Sequence, residues 1–178
     1  FLRKKTYMLA NPFEKDNNFL NTNPLKGHKS PKKIVTPASS EKMIREVENL
    51  RTLDCRLLQS KNYEVFFAKA KDIPNILHEI GRLREITFRE VGEGTNESID
   101  LDKYDQYYRH LFLWDDETNK IAGAYRMGLG CEIYPKYGMD GFYLNGLFRF
   151  ESELHEMLHK SIEMGRAFII KEYQQKPM

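Results

Sequence analysis

SIEMGRAFII, residues 161–170, is the stretch on which the reading of this chain turns. Ile162, Met164, Ala167, Phe168, Ile169 and Ile170 make it the most strand-like segment present, yet it carries Glu163 and Arg166. Burying an unpaired charge is costly, so a carboxylate and a guanidinium in such a segment call for partners elsewhere in the chain. At this spacing the two would face opposite sides of a regular strand. Gly165 between them marks a β-bulge, which would re-aim the pair and leave a backbone N–H able to donate to an oxyanion. A sheet-edge ion pair is the plainer alternative.

Other charges also sit on apolar faces. The periodicity predicts a helix from about Ile73 to Val91, capped by Asp72, with Pro74 in its first turn and the stop GEG after it. Leu77, Ile80, Phe88 and Val91 share a narrow arc with Arg84 near its middle, while Arg82, Glu85 and Arg89 fall on other faces. Arg84 therefore points inward, to a buried carboxylate rather than to snorkel. Carboxylates are offered by SIDLDKYDQYY, residues 98–108, which holds Asp100, Asp102 and Asp105. It is no calcium loop, because Tyr104 takes a ligand position and no Gly follows at the sixth place. Either Asp102 is a helix N-cap with Asp105 in the first turn, or these acids face Arg84 or a cationic substrate. In the strand IAGAYRMGLG, residues 121–130, Arg126 alternates with Ala122, Ala124, Gly128 and Gly130, while Ile121, Gly123, Tyr125, Met127 and Leu129 share the other face. That row of small residues leaves room for a ligand or for a closely packed backbone.

The remaining segments complete an α/β (α+β) pattern. Residues 37–60 read as an amphipathic helix with a Ser N-cap, YEVFFAKA as a strand, HLFLW and IAGAYRMGLG as a hairpin joined by DDETNK, and FESELHEMLHK as a short helix. With 178 residues, 40% hydrophobic and 30% charged, the chain can bury a core and make one domain. The net charge of +2 divides into +6 over residues 1–36 and −4 over the rest. The basic front, rich in Asn, Pro and Lys, reads as a linker, either solvated or lying against anionic lipid or an acidic protein. No nucleic-acid partner is expected. There is no run long enough to span a membrane and no leader peptide in FLRKKTYML, and Cys55 and Cys131 lack metal-ligand spacing, so a reduced, cytoplasmic setting is expected, with peripheral membrane contact at most.

Arg84 with Phe88, then DLDKYD, then Arg126 in GAYR, then Glu163 and Arg166 in EMGR together resemble the hemolysin-like N-acyltransferases of the GNAT fold, which make amino-acid lipids such as ornithine and glycine lipids. They resemble more distantly the acyl-homoserine lactone synthases, which carry Glu where this chain has Asp100. EIGRLREITFREVGEGTN and IEMGRAFIIKEYQ are most similar to long bacterial lipid-synthesis proteins in which this module follows a glycerolphosphate-acyltransferase-like domain, whose tail residues 1–36 would then be. The resemblance implies a mixed β-sheet flanked by helices, with residues 61–178 as the N-terminal part of a GNAT-type domain. It also implies an amino-acid amine attacking a fatty acyl thioester on acyl carrier protein or coenzyme A, with no permanently bound cofactor and no metal. In that scheme Glu163 is the general base, and the amide near Gly165 and Arg166 holds the oxyanion. Asp100 or Asp102 binds the ammonium or competes as the base. Arg84 and Arg126 orient those acids or meet the substrate carboxylate, with Phe88 and Asp105 beside them. The phosphopantetheine would meet backbone amides after the last strand, where only KEYQQKPM remains, so an incomplete donor site is expected.

Two readings from other classes compete. HEMLH, residues 155–159, satisfies the HExxH pattern of a zinc metallohydrolase, but no third ligand stands at a suitable spacing, and Leu154, Met157 and Leu158 suffice for an ordinary amphipathic helix. A non-catalytic docking module for an acidic carrier protein is the other.

Overall fold

The computed structural model describes residues 30–174. Its elements in chain order are α1 (Ser40–Thr52), β1 (Arg56–Ser60), β2 (Tyr63–Lys69), α2 (Pro74–Glu90), β3 (Arg109–Asp115), β4 (Lys120–Leu129), α3 (Gly130–Tyr137), α4 (His155–His159) and β5 (Ile162–Ile169), with 3₁₀ turns between them. The strands form one sheet in the order β1-β2-β3-β4-β5. All four described pairings are antiparallel, where a mixed sheet was expected. Lys61 and Asn119, at φ +55° and +54°, close the tight β1–β2 and β3–β4 connections, so those strands must run back on themselves. Between β2 and β3 the chain leaves along α2 and returns beside it, with Asp100 N–H on the Gly81 carbonyl at 3.2 Å, so Lys69 ends opposite Arg109.

One face of the sheet carries Phe66, Phe112, Trp114, Ala124 and Phe168, which pack with Met43, Val47 and Leu50 of α1 and with Ile76, Leu77 and Ile80 of α2. A bulge in β4 leaves Ala122 between the pairs Trp114↔Ile121 and Leu113↔Gly123. It rotates Ile121 onto the core face, whereas simple alternation had placed Ile121 with Gly123 and Tyr125.

Several boundaries differ from those expected. The helix expected over residues 37–60 stops at Thr52; Asp54 takes φ +54°, and Arg56–Ser60 leaves as the edge strand β1. Leu57 and Leu58, counted as the end of a helical stripe, are therefore 63% and 60% exposed. Asp72 does not cap α2. Ile73 stands at the N-cap, and the Glu46 carboxylate of α1 accepts from the backbone N–H groups of Asn75 (2.9 Å) and Ile76 (2.8 Å). Val91 is an exposed C-cap residue, while Glu85, placed on an outer face by the helical arc, is fully buried. Glu85 accepts from the Thr95 N–H (3.0 Å) and hydroxyl (2.6 Å) and from Arg89 (2.7 Å), which ties the returning loop to the helix. The helix α3, directly after β4, was not foreseen, since Gly130 and Pro135 disguise it as a turn.

Most of the segment read as a basic linker, residues 1–29, lies outside the described residues. Its last part pairs with the returning loop through Lys32 N–H to Asn96 O and Val35 N–H to Ser98 O, both 3.0 Å. Among the described residues no helix is long and apolar enough to cross a membrane.

Candidate active site

The charges found on apolar faces meet at one end of the helix-covered face. Arg84 points inward from α2, 1% exposed. Its Nε donates to Asp100 Oδ2 at 3.0 Å, its Nη1 to Asp105 Oδ1 at 3.1 Å and its Nη2 to Asp105 Oδ2 at 3.0 Å, with a further bond from Nη2 to the Asp100 carbonyl. Arg126 of β4 donates to Asp102 Oδ1 at 2.7 Å and to Asp105 Oδ2 at 3.3 Å. Arg166 of β5 donates to Asp100 Oδ2 at 2.9 Å and stands 3.8 Å from Asp102 Oδ2. Each aspartate thus bridges two arginines and each arginine two aspartates, a closed ring of six charges with no net charge. Desolvation alone would push the Asp105 carboxyl up, but the Arg84 and Arg126 guanidinium charges outweigh it and hold the group below the usual carboxylate range. For Arg126 burial alone would lower the pKa; the Asp102 and Asp105 carboxylates raise it instead.

Local structure explains how the loop delivers its acids. Asp102 is the N-cap of the 3₁₀ turn Lys103–Gln106, accepting from Tyr104 N–H at 2.8 Å, and Asp105 reaches back to accept from Asp102 N–H at 2.8 Å. The capping role and the pairing role, weighed as alternatives, are held by the same carboxylates at once.

The bulge in β5 is present. Ala124↔Phe168 and Arg126↔Gly165 are successive pairs, so β5 carries one residue more than β4 across this interval. Arg166 itself takes up the kink at φ +53°, a left-handed conformation that a non-glycine side chain adopts at a cost. Arg166 thereby reaches Asp100, and Glu163 meets the Tyr108 hydroxyl on the same side of the sheet.

Glu163 Oε2 accepts from the Tyr108 hydroxyl at 2.8 Å and from Tyr143 N–H at 3.1 Å, and Oε1 accepts from Leu144 N–H at 3.2 Å. Burial pushes the Tyr108 phenol well above its ordinary value, and the neighbouring Glu163 adds to the rise. Beside this carboxylate lies a cleft of about 290 Å³ walled by Glu163, Gly165, Arg126, Arg166, Phe88 and Tyr143, among others. Arg84 and Asp105 do not reach it; they lie behind the wall, 1% and 0% exposed. Asp100 is likewise buried, whereas the Asp102 side chain keeps 29% exposure and that of Arg166 22%.

Residues 83–178 match the acetyltransferase (GNAT) domain family. The chain belongs to that family. Two similar proteins are glycine N(alpha)-acyltransferases, one from Bacteroides thetaiotaomicron and one from Phocaeicola vulgatus, each 36% identical over an alignment of 146 residues that covers 79% of this chain. The chain spans 43% and 44% of the length of these relatives. No solved structure matches it. In this GNAT chain the site draws on one helix, one loop and two strands, and its charged residues, from Arg84 to Arg166, lie inside the match.

HEMLH forms α4, and both of its histidines lie edge-on to Tyr134, with centroids at 6.4 Å for His155 and 5.9 Å for His159. Among the described residues no group of three or more His, Cys, Asp or Glu could hold a metal ion, so the pair gains no third ligand there. Sequence reasoning missed the aromatic part of the site. The Arg126 guanidinium lies over the rings of Tyr104 (5.6 Å), Tyr108 (5.3 Å) and Tyr143 (5.3 Å). The tyrosine density of DKYDQYY was the available signal, and the acids between the tyrosines drew attention away from it.

Proposed function

We propose that this protein is an N-acyltransferase of amino-acid lipid synthesis, moving a fatty acyl group from a thioester to the amine of an amino acid, with glycine as the first acceptor to test. The observation that carries this reading is the cleft in which Glu163 stands beside Arg126 and Arg166. The names of the two relatives supply the acceptor. The acceptor's α-carboxylate meets Arg166 and Arg126 where they wall the cleft, and Asp102 meets its ammonium before deprotonation. Glu163 removes the amine proton, directly or through a water, as the nitrogen lone pair attacks the thioester carbonyl carbon. The oxyanion is held by the backbone amide near Gly165 and Arg166; its collapse breaks the C–S bond, and the departing thiolate takes up a proton. Arg84, Asp100 and Asp105 act from behind, fixing the ring, and Phe88 walls the cleft. The donor is an acyl thioester of acyl carrier protein or coenzyme A, and the product is an N-acyl amino acid made in the cytoplasm at the membrane periphery. Residues 1–36 are a basic linker or the tail of a preceding acyltransferase domain in this proposal.

Lipid mass spectrometry on cells expressing the complete gene tests it. N-acyl amino acids appear with the wild-type protein and vanish with Glu163→Ala. Unchanged lipid profiles in both would refute the assignment, and a docking module would keep its cellular role with Glu163→Ala.

A further inference from the structure

We infer that Tyr108 is a positioning residue for Glu163: its hydroxyl occupies Oε2, fixes the carboxylate against the turn at Tyr143–Leu144, and leaves Oε1 as the oxygen that takes the substrate proton. The inference rests on the proposed role of Glu163 as base and adds a residue and an atom to it.

The hydrogen-bond inventory decides the assignment. The Tyr108 hydroxyl has one proton and two acceptors in reach, Glu163 Oε2 at 2.8 Å and the Gly141 carbonyl at 3.3 Å. Gly141 O already accepts the Tyr107 hydroxyl at 2.9 Å. The shorter contact, to the charged acceptor, therefore takes the proton. The same hydroxyl accepts from Tyr143 N–H at 3.0 Å, so phenol, amide and Oε2 close a triangle. Oε2 thus receives two donors and Oε1 only Leu144 N–H. With two lone pairs on each carboxylate oxygen, spare acceptor capacity remains on Oε1 alone. In the proton transfer the amine N–H bond breaks, its electron pair stays on nitrogen, and the proton bonds to Oε1.

The ring of Tyr108 is built into place. It is 2% exposed, and a Cβ at position 128 would stand 2.6 Å from it, so the glycine that leaves small-residue space beside Arg126 is what admits the tyrosine. Its edge-on contacts with Tyr104 (5.8 Å) and Tyr107 (5.3 Å) fix the ring from the loop side.

The test is a pH–rate profile of the full-length protein with glycine and a long-chain acyl thioester, for wild type, Tyr108→Phe and Glu163→Gln. Tyr108→Phe is expected to lower kcat about tenfold to a hundredfold, with KM for glycine within about twofold. The acid limb is expected to move up by roughly one to two pH units, because a carboxylate that loses a donor binds its proton more tightly. Replacement of Tyr108 by 3-fluorotyrosine, a stronger donor of the same shape, moves that limb the opposite way and serves where Tyr108→Phe does not fold. An unshifted limb and unchanged kcat in Tyr108→Phe, with Glu163→Gln inactive, would overturn the inference and spare the base. A fully active Glu163→Gln would remove both.

Discussion

Arg84 and Arg166 meet the same oxygen of Asp100, yet they stand on different sides of the site. Arg84 is buried and occupied at every carboxylate it touches, whereas Arg166 borders the cleft. Arg84→Met would leave Asp100 and Asp105 short of a charge partner in a desolvated place, and a loss of about 3–5 kcal/mol in urea unfolding is expected. Arg166→Gln should cost no more than about 1 kcal/mol, because its side chain is 22% exposed, but should reduce turnover about a hundredfold. Equal stability losses in the two variants would contradict this division. Two buried groups here contribute to the response to acid. Asp105 has its native pKa lowered, so the stability it contributes is present above the unfolded value of 3.8 and is lost as pH falls through the folded one. His110 donates from Nε2 to the Asp105 carbonyl at 2.9 Å, has no hydrogen-bond partner for Nδ1, and has its pKa lowered chiefly by burial. A lowered histidine value means that the unfolded chain binds the proton first, so stability also falls as pH drops through 6.5. Thermal melting followed from pH 8 downward should therefore decline below about pH 6.5 and steepen below about pH 4; a flat profile would be inconsistent with both groups. At this scale the charged residues were legible, because a charge at the centre of an apolar arc has few explanations. His110 and Tyr108 were not, since a histidine or tyrosine in a strand pattern is ordinary until its neighbours are known.

The bulge in β5 and the cap of α2 show what sequence can and cannot deliver about an element. Gly165 signalled the bulge, because a glycine between two charges on a strand marks a change of register; the left-handed residue is nevertheless its neighbour Arg166. The cap of α2 was misread as Asp72, since the acceptor is Glu46, 30 residues from Ile76 and on another helix. A cap supplied across the fold leaves no local pattern. Glu46→Ala should cost about 1–2 kcal/mol in chemical denaturation, whereas Asp72→Ala should be nearly neutral. The reverse order would mean that the local signal was right. The early end of α1 has the same origin: the apolar residues at 57 and 58 continue the helical period, but pairing of Arg56–Ser60 with β2 captures them for the sheet.

Across the whole molecule, the antiparallel sheet brings the end of β4 beside β5 and lays α2 with its returning loop over them, so Arg84 and Arg166, 82 positions apart in the chain, share one ring of charge. That convergence was foreseeable from order and spacing, and the ion pairs of the ring show it. Tyr143 and the turn that grips Glu163 were not, because they come from the segment between β4 and β5, whose 3₁₀ turns have no strong period. In the proposed function this assembly deprotonates an amine for acyl transfer. Single-turnover formation of N-acylglycine by the purified full-length protein, wild type against Glu163→Gln, measures it most directly. A fall of about 10²–10⁴ in rate with folding preserved is predicted; acylation by Glu163→Gln at the wild-type rate would contradict it.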